Sequence, residues 1–168
     1  MKRKKTSRGS RPSRRAAKFS EKKSTGHAAS HAPAAPEEQR PRIGLEASVE
    51  RVVPHNWTVQ SLNPRYPAVL STPHMIGLME HATGVAVEPD LPPGTITVGT
   101  RVEVDHLKAV SDGATVRAWA RLVKHEGRFL VFDVEARSGE HLIGRGRVFR
   151  AIVEPEHHGA KARSRVQQ

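Results

Sequence analysis

The chain has 168 residues with 36 % hydrophobic content, 28 Lys and Arg against 17 Asp and Glu for a formal net charge of +11, and no cysteine. The lack of cysteine excludes disulfides, thiolate nucleophiles and cysteine-based zinc sites. No apolar run approaches the ~18 residues of a membrane span, and the basic N-terminus lacks the apolar stretch of a secretory signal, so a soluble cytoplasmic protein is expected.

Residues 1–42 carry thirteen Lys/Arg and three Glu, a net of +10, with Phe19 as their one aromatic. Such a segment cannot bury enough apolar surface to offset the entropy of ordering it. It reads as a disordered basic tail that aids solubility or touches nucleic acid and other acidic surfaces without specificity. Residues 43–154 carry twelve basic and thirteen acidic side chains, a net of −1. Residues 155–168 carry three and one, a net of +2, and read as a second disordered tail. The basic excess is therefore a property of the tails. The near-neutral domain of residues 43–154 does not have the charge of a nucleic-acid binder.

The domain begins near Ile43, where Leu45, Ala47 and Val49 alternate with polar residues as in a strand that ends at Val52-Val53. Trp57-Thr58-Val59 reads as a short second extended piece, and Asn63 to Pro67, with two prolines, as a loop. The spacing of Met75, Ile76, Met79 and Ala82 predicts a helix. Thr72 suits its N-cap, Pro73 its first turn and Gly84 the residue past its end, which gives about three turns. Gly77 inside it costs ~1 kcal/mol against Ala, a loss that a second backbone packed close by would explain. Four strands follow, over Ile96 to Val104, Val116 to Leu122, Phe129 to Ala136 and Leu142 to Val153, with turns at Glu126-Gly127 and Ser138-Gly139. Gly144 and Gly146 in the last strand mark a bulge or a close approach by another group. The class is α+β, one helix on an antiparallel sheet.

Within this order, a hydroxyl at Thr72, a carboxylate at Glu80, a glycine amide at Gly99 and an imidazole at His106 are the parts that acyl transfer needs. Each also has a plain reading, Thr72 as a cap, Glu80 as a solvated helix residue and His106 as a surface residue. Eight residues of helix rise ~12 Å, so Thr72 and Glu80 of one chain should not bond directly. Either His106 or the substrate bridges them, or one of them comes from a second subunit. Asp105 points to the other face of its strand from His106 and is not expected to orient it.

Thr72-Pro-His-Met-Ile-Gly-Leu-Met-Glu80, followed by Gly99-Thr100 and His106, resembles the hot-dog-fold acyl-CoA thioesterases, and most of all their fluoroacetyl-CoA thioesterase-like branch. Ile143-Gly144-x-Gly146 with Arg150 is similar to the last strand of that branch. The resemblance runs from about Leu45 to Val153. It implies a helix wrapped by a curved antiparallel sheet of about five strands, and a homodimer formed by joined sheets with the site at the interface. It also implies hydrolysis of a small acyl-CoA thioester without cofactor or metal. Thr72, Glu80 and His106 take the catalytic positions, and Gly99 and Arg150 the substrate-binding ones. Tyr66, six residues before Thr72, is expected to set an aromatic over the entrance. Asn63 stands where a second aromatic is expected and His74 replaces a bulky one. Selectivity for fluoroacetyl-CoA therefore does not follow from the resemblance. Two other readings remain beside it: a non-catalytic acyl-CoA or ligand-binding hot-dog domain, and a nucleic-acid-associated protein acting through residues 1–42.

Overall fold

Alternation of apolar and polar residues dictates most of the architecture. The computed structural model describes residues 40–155; both expected tails fall almost wholly outside the described residues. Five strands and one long helix follow in the order β1 (Glu46–Val52), α1 (Thr72–Val87), β2 (Ile96–His106), β3 (Thr115–Glu126), β4 (Phe129–Ser138) and β5 (His141–Val153). They form one antiparallel sheet in the order β1-β3-β4-β5-β2, so β1 and β2 are its edges. The α+β hot-dog arrangement of one helix against a five-stranded sheet is therefore present.

The helix lies on the face that alternation makes apolar. Val116, Ala118, Ala120 and Leu122 of β3 and Leu130, Phe132, Val134 and Ala136 of β4 are buried there, against Met75, Leu78, Met79, Ala82 and Ala86 of α1. Burying each of the larger side chains contributes about 1.5–3 kcal/mol. Three of the eight sheet positions are alanine, which lets the helix sit close to the strands. Gly144 does the same for one side chain. A Cβ added there would come within 2.6 Å of Met75 Sδ, so a larger residue at this point of β5 would displace the buried Met75 side chain. At Gly146 an added Cβ would meet the β2 backbone, 2.7 Å from Val104 Cα. Both readings of these glycines are met: the close approaches are present, and the β4–β5 register shifts beside Gly144, where Ala136 pairs with Gly144 and Arg137 with Leu142, leaving Ile143 as the extra residue. No helix among the described residues is long and apolar enough to cross a membrane.

Four local expectations are corrected. Ser71, not Thr72, is the N-cap: it is extended (φ −79°, ψ 149°), and its carbonyl accepts the first helical bond, from Met75 N at 3.1 Å. Thr72 and Pro73 thus open the first turn. The helix runs through Gly84 to Val87, because Thr83, Ala86 and Val87 are buried; it stops there because Pro89 has no N–H to continue the i to i−4 bonding. Gly77 has nothing within 4 Å of an added Cβ, so no backbone among the described residues packs there. Trp57 and Val59 belong to two short 3-10 turns, His55–Trp57 and Val59–Ser61. Only Thr58 between them is extended, pairing with Leu70, and its Oγ1 accepts from Ser61 N to start the second turn.

Candidate active site

The start of α1 meets the end of β2. Thr72 is the first residue of the helix and His106 the last of the strand, and Thr72 Oγ1 lies 2.9 Å from His106 Nδ1. When the hydroxyl donates to Nδ1, the ring proton sits on Nε2. His106 Nε2 is buried and has no hydrogen-bond partner among the described residues. A buried donor left in that state costs about 1–3 kcal/mol.

Glu80 lies at a second point, ~12 Å further along the helix. Its carboxylate rests on Gly99 of β2, where an added Cβ would overlap Glu80 Oε1 and lie 3.4 Å from Cδ. Glycine at 99 is therefore what leaves room for the carboxylate. No hydrogen bond among the described residues joins Glu80 to Thr72 or His106.

Arg150 closes this second cluster from β5. Its Nε donates to Thr97 Oγ1 (2.9 Å) and Nη2 to Thr97 O (2.8 Å), while Nη1 donates to Glu80 O and Thr83 Oγ1, both at 3.2 Å. Four of the five guanidinium N–H groups are so spent on tying the Glu80 turn of α1 to β2. Burial lowers the Arg150 pKa from the usual arginine range and the nearby Glu80 charge pulls it back up. It stays a cation at neutral pH.

Gly99 and His106 both face α1, although they are seven residues apart and would point to opposite faces of a regular strand. The strand is not regular. Gly99 pairs with Arg150 and Arg101 with Phe149, which leaves Thr100 as the extra residue of a β-bulge. Thr97 and Thr83 are supporting residues that the sequence reading passed over, and Thr100 was quoted beside Gly99 without a role. The odd spacing between Gly99 and His106 was the one signal for the bulge. Asp105 pairs with Arg145 on the far face, as expected from alternation.

The entrance residues are arranged differently from the core of the site. Tyr66 is 56 % exposed in the loop before α1, and no hydrogen bond among the described residues ties its hydroxyl to Thr72, Glu80 or His106. Asn63 serves the loop itself, with its Oδ1 accepting from Arg65 N at 3.0 Å. His74 stacks on Trp57 with ring centroids 5.3 Å apart and planes 18° apart, and its Nδ1 lies 2.7 Å from Ser71 Oγ. Stacking and the bond to the Ser71 hydroxyl hold this imidazole at the helix start. In one chain the candidate residues thus form two clusters, Thr72 with His106 and Glu80 with Gly99 and Arg150.

Comparison with known proteins gives one family. The pattern of fluoroacetyl-CoA-specific thioesterases matches residues 52–156. The fluoroacetyl-CoA thioesterase of Streptantibioticus cattleyicolor is 38 % identical over 131 residues, which cover 74 % of this chain and 94 % of that protein. A solved structure of a fluoroacetyl-CoA thioesterase superposes with a TM-score of 0.69 at 38 % identity, over 73 % of this chain and 96 % of the other. A Thermus thermophilus member of the thioesterase superfamily superposes with a TM-score of 0.70 at 33 % identity, over 76 % and 95 % of the two chains.

Proposed function

The chain belongs to the fluoroacetyl-CoA-specific thioesterase family and is an acyl-CoA thioesterase, and we propose that it hydrolyses a small acyl-CoA thioester at a site assembled from two protomers. The observation that carries the composite site is the division of the candidate residues into two separated clusters. One has a buried imidazole nitrogen without a partner among the described residues, and the other a carboxylate that bonds to neither Thr72 nor His106 of its own chain.

The open edge of β2 is the surface that supports such pairing. It is eleven residues long and exposes Ile96 and Val102. The other edge, β1, has seven residues and carries Glu46, Glu50 and Arg51, charges that discourage strand addition. Two β2 strands paired antiparallel about Glu103 set Val102 opposite the partner's Val104 and Arg101 opposite the partner's Asp105. In that register, with Thr100 bulged out, His106 stands opposite Gly99 of the partner subunit. The carboxylate resting on that glycine then comes within reach of His106 Nε2.

The chemistry follows from these positions. His106 takes the proton from the attacking oxygen, which belongs to Thr72 or to a water held beside it. The backbone N–H of Gly99 stabilises the oxyanion, and Glu80 orients the imidazole and stabilises its protonated form. The carbonyl carbon gains a C–O bond as its C–S bond breaks, and the proton held by His106 passes to the sulfur, which leaves as the coenzyme A thiol. Where water attacks, the acid is released directly; where Thr72 attacks, the acyl ester on its oxygen is hydrolysed by a water that His106 activates in turn. Arg150 keeps Glu80 in place, and Tyr66 borders the entrance.

Two inactive variants test the assembly. Thr72→Ala and Glu80→Ala are refolded together, and free coenzyme A is measured with a panel of short acyl-CoAs. A composite site predicts recovery of about a quarter of wild-type turnover, since half the dimers are mixed and each mixed dimer has one intact site. No recovery, with mixed dimers demonstrated, places the whole site in one chain. Wild-type protein that binds acyl-CoA but turns over none of the panel favours a binding domain.

A further inference from the structure

In an antiparallel pair, residues alternate between those whose N–H and C=O both point at the neighbouring strand and those whose groups both point away. Ile152 N bonds to Arg128 O at 2.8 Å, towards β4, so Ile152, Arg150 and Val148 turn to β4 and the residues between them turn to β2. Gly99 is opposite Arg150, a residue that turns away from it. The Gly99 N–H therefore points out of the sheet, at the open edge. From the other end, Leu107 N bonds to Ile143 O at 2.8 Å, so His106, Val104 and Val102 also turn their N–H groups outward. Between the outward groups of Val102 and Gly99 stands the bulged Thr100, whose Oγ1 donates to Phe149 O at 3.2 Å.

A bulge disrupts the ladder locally and bends the strand that carries it. On a β2 without the bulge, the outward N–H of Gly99 would be the next rung after Val102 and would be consumed by the partner strand. With the bulge, the strand bends between those two rungs and Gly99 is set back from the ladder. We propose that Thr100 is a positioning residue of the thioesterase site: its bulge ends the pairing between subunits and leaves the Gly99 N–H free to bind the thioester oxygen. The inference rests on the reading of β2 as the dimer edge and of Gly99 as the oxyanion donor.

Deletion of Thr100 is a well-controlled test, because it removes the extra residue without changing which face or which β5 partner any other β2 residue has. The fold and the Thr72–His106 contact are therefore retained. Three quantities are read on the full-length dimer: hydrogen exchange at the Gly99 amide, kcat with KM for a short acyl-CoA, and the melting temperature. In wild type the Gly99 amide is expected to exchange quickly although its neighbours in β2 are slow. In the deletion variant it becomes protected, the melting temperature holds or rises, and kcat falls ~100-fold with little change in KM, as for loss of one oxyanion donor. A purely structural role for the bulge would instead lower the melting temperature and leave kcat of the folded protein alone. A Gly99 amide already protected in wild type, or a deletion variant with kcat within about threefold of wild type, overturns the proposal. Wild-type protein without thioesterase activity refutes the functional reading instead, and the exchange measurement still decides whether the bulge frees the amide. If the deletion variant does not fold, replacing Thr100 by Val removes the bond to Phe149 O alone. Slower Gly99 exchange in that variant supports the proposal, and unchanged exchange with unchanged kcat counts against it.

Discussion

Thr72 Oγ1 and His106 Nδ1 are 2.9 Å apart although 34 positions separate them in the chain. The contact joins the first turn of α1 to the end of β2, and it holds the imidazole in a fixed orientation against the hydroxyl. Position at a helix N-terminus adds a field that favours negative charge on the hydroxyl oxygen.

Removal of the imidazole should therefore be felt in turnover rather than in stability. His106→Ala is expected to lower kcat by about 10²–10⁴, the usual worth of a positioned acid–base group. Thr72→Ser keeps the hydroxyl and should retain more activity than Thr72→Ala. Coenzyme A release, with circular dichroism as the control for folding, measures both. Equal activity of the Ser and Ala variants would show that the hydroxyl has no part in the reaction.

Gly99→Ala separates position from stability in a second way. The added methyl would overlap Glu80 Oε1, the far end of a flexible side chain that can swing aside. The fold should tolerate the change, with a melting temperature within a few degrees of wild type. The displaced carboxylate should cost about 10–100-fold in kcat, the scale of a misplacement near 1 Å. A variant that is fully active, or one that is unfolded, contradicts this account of the glycine.

Arg150 should prove to be a stabilising residue as well as a site residue. Arg150→Met removes four hydrogen bonds that tie β5 and β2 to the Glu80 turn, for a loss of about 1–3 kcal/mol after allowance for partial exposure. Arg150→Lys restores the charge but not the planar fork and should recover only part of that loss. Urea midpoints at constant slope measure the difference. In both variants kcat is expected to fall, because the turn carrying Glu80 is loosened. Full recovery by lysine would mean that charge alone matters.

Much of the candidate site was legible as residue types and spacings. The sequence offered the hydroxyl, carboxylate, glycine and imidazole as candidates, and alternation placed strands over Val116 to Leu122 and Phe129 to Ala136, which lie within β3 and β4. The helix was recognised but its ends were not. Ser71 and Thr72 are both good caps, and only the bond from Met75 N to the Ser71 carbonyl separates them. Gly84 looks like a stop, but burial of Ala86 and Val87 outweighs the ~1 kcal/mol that a helical glycine costs.

The sequence by itself determined the class of fold, the extent of the domain's apolar faces and the chemical types at the site, because periodicity and residue chemistry are local properties. Tertiary structure alone decided how those groups meet. Alternation applied to the sequence would put Gly99 and His106 on opposite faces of β2, and one bulged residue, Thr100, reverses that outcome. The partners of Arg150 were likewise set by three segments far apart in the chain. Hydrogen-bond register between strands depends on long-range pairing, and a single extra residue changes every face beyond it.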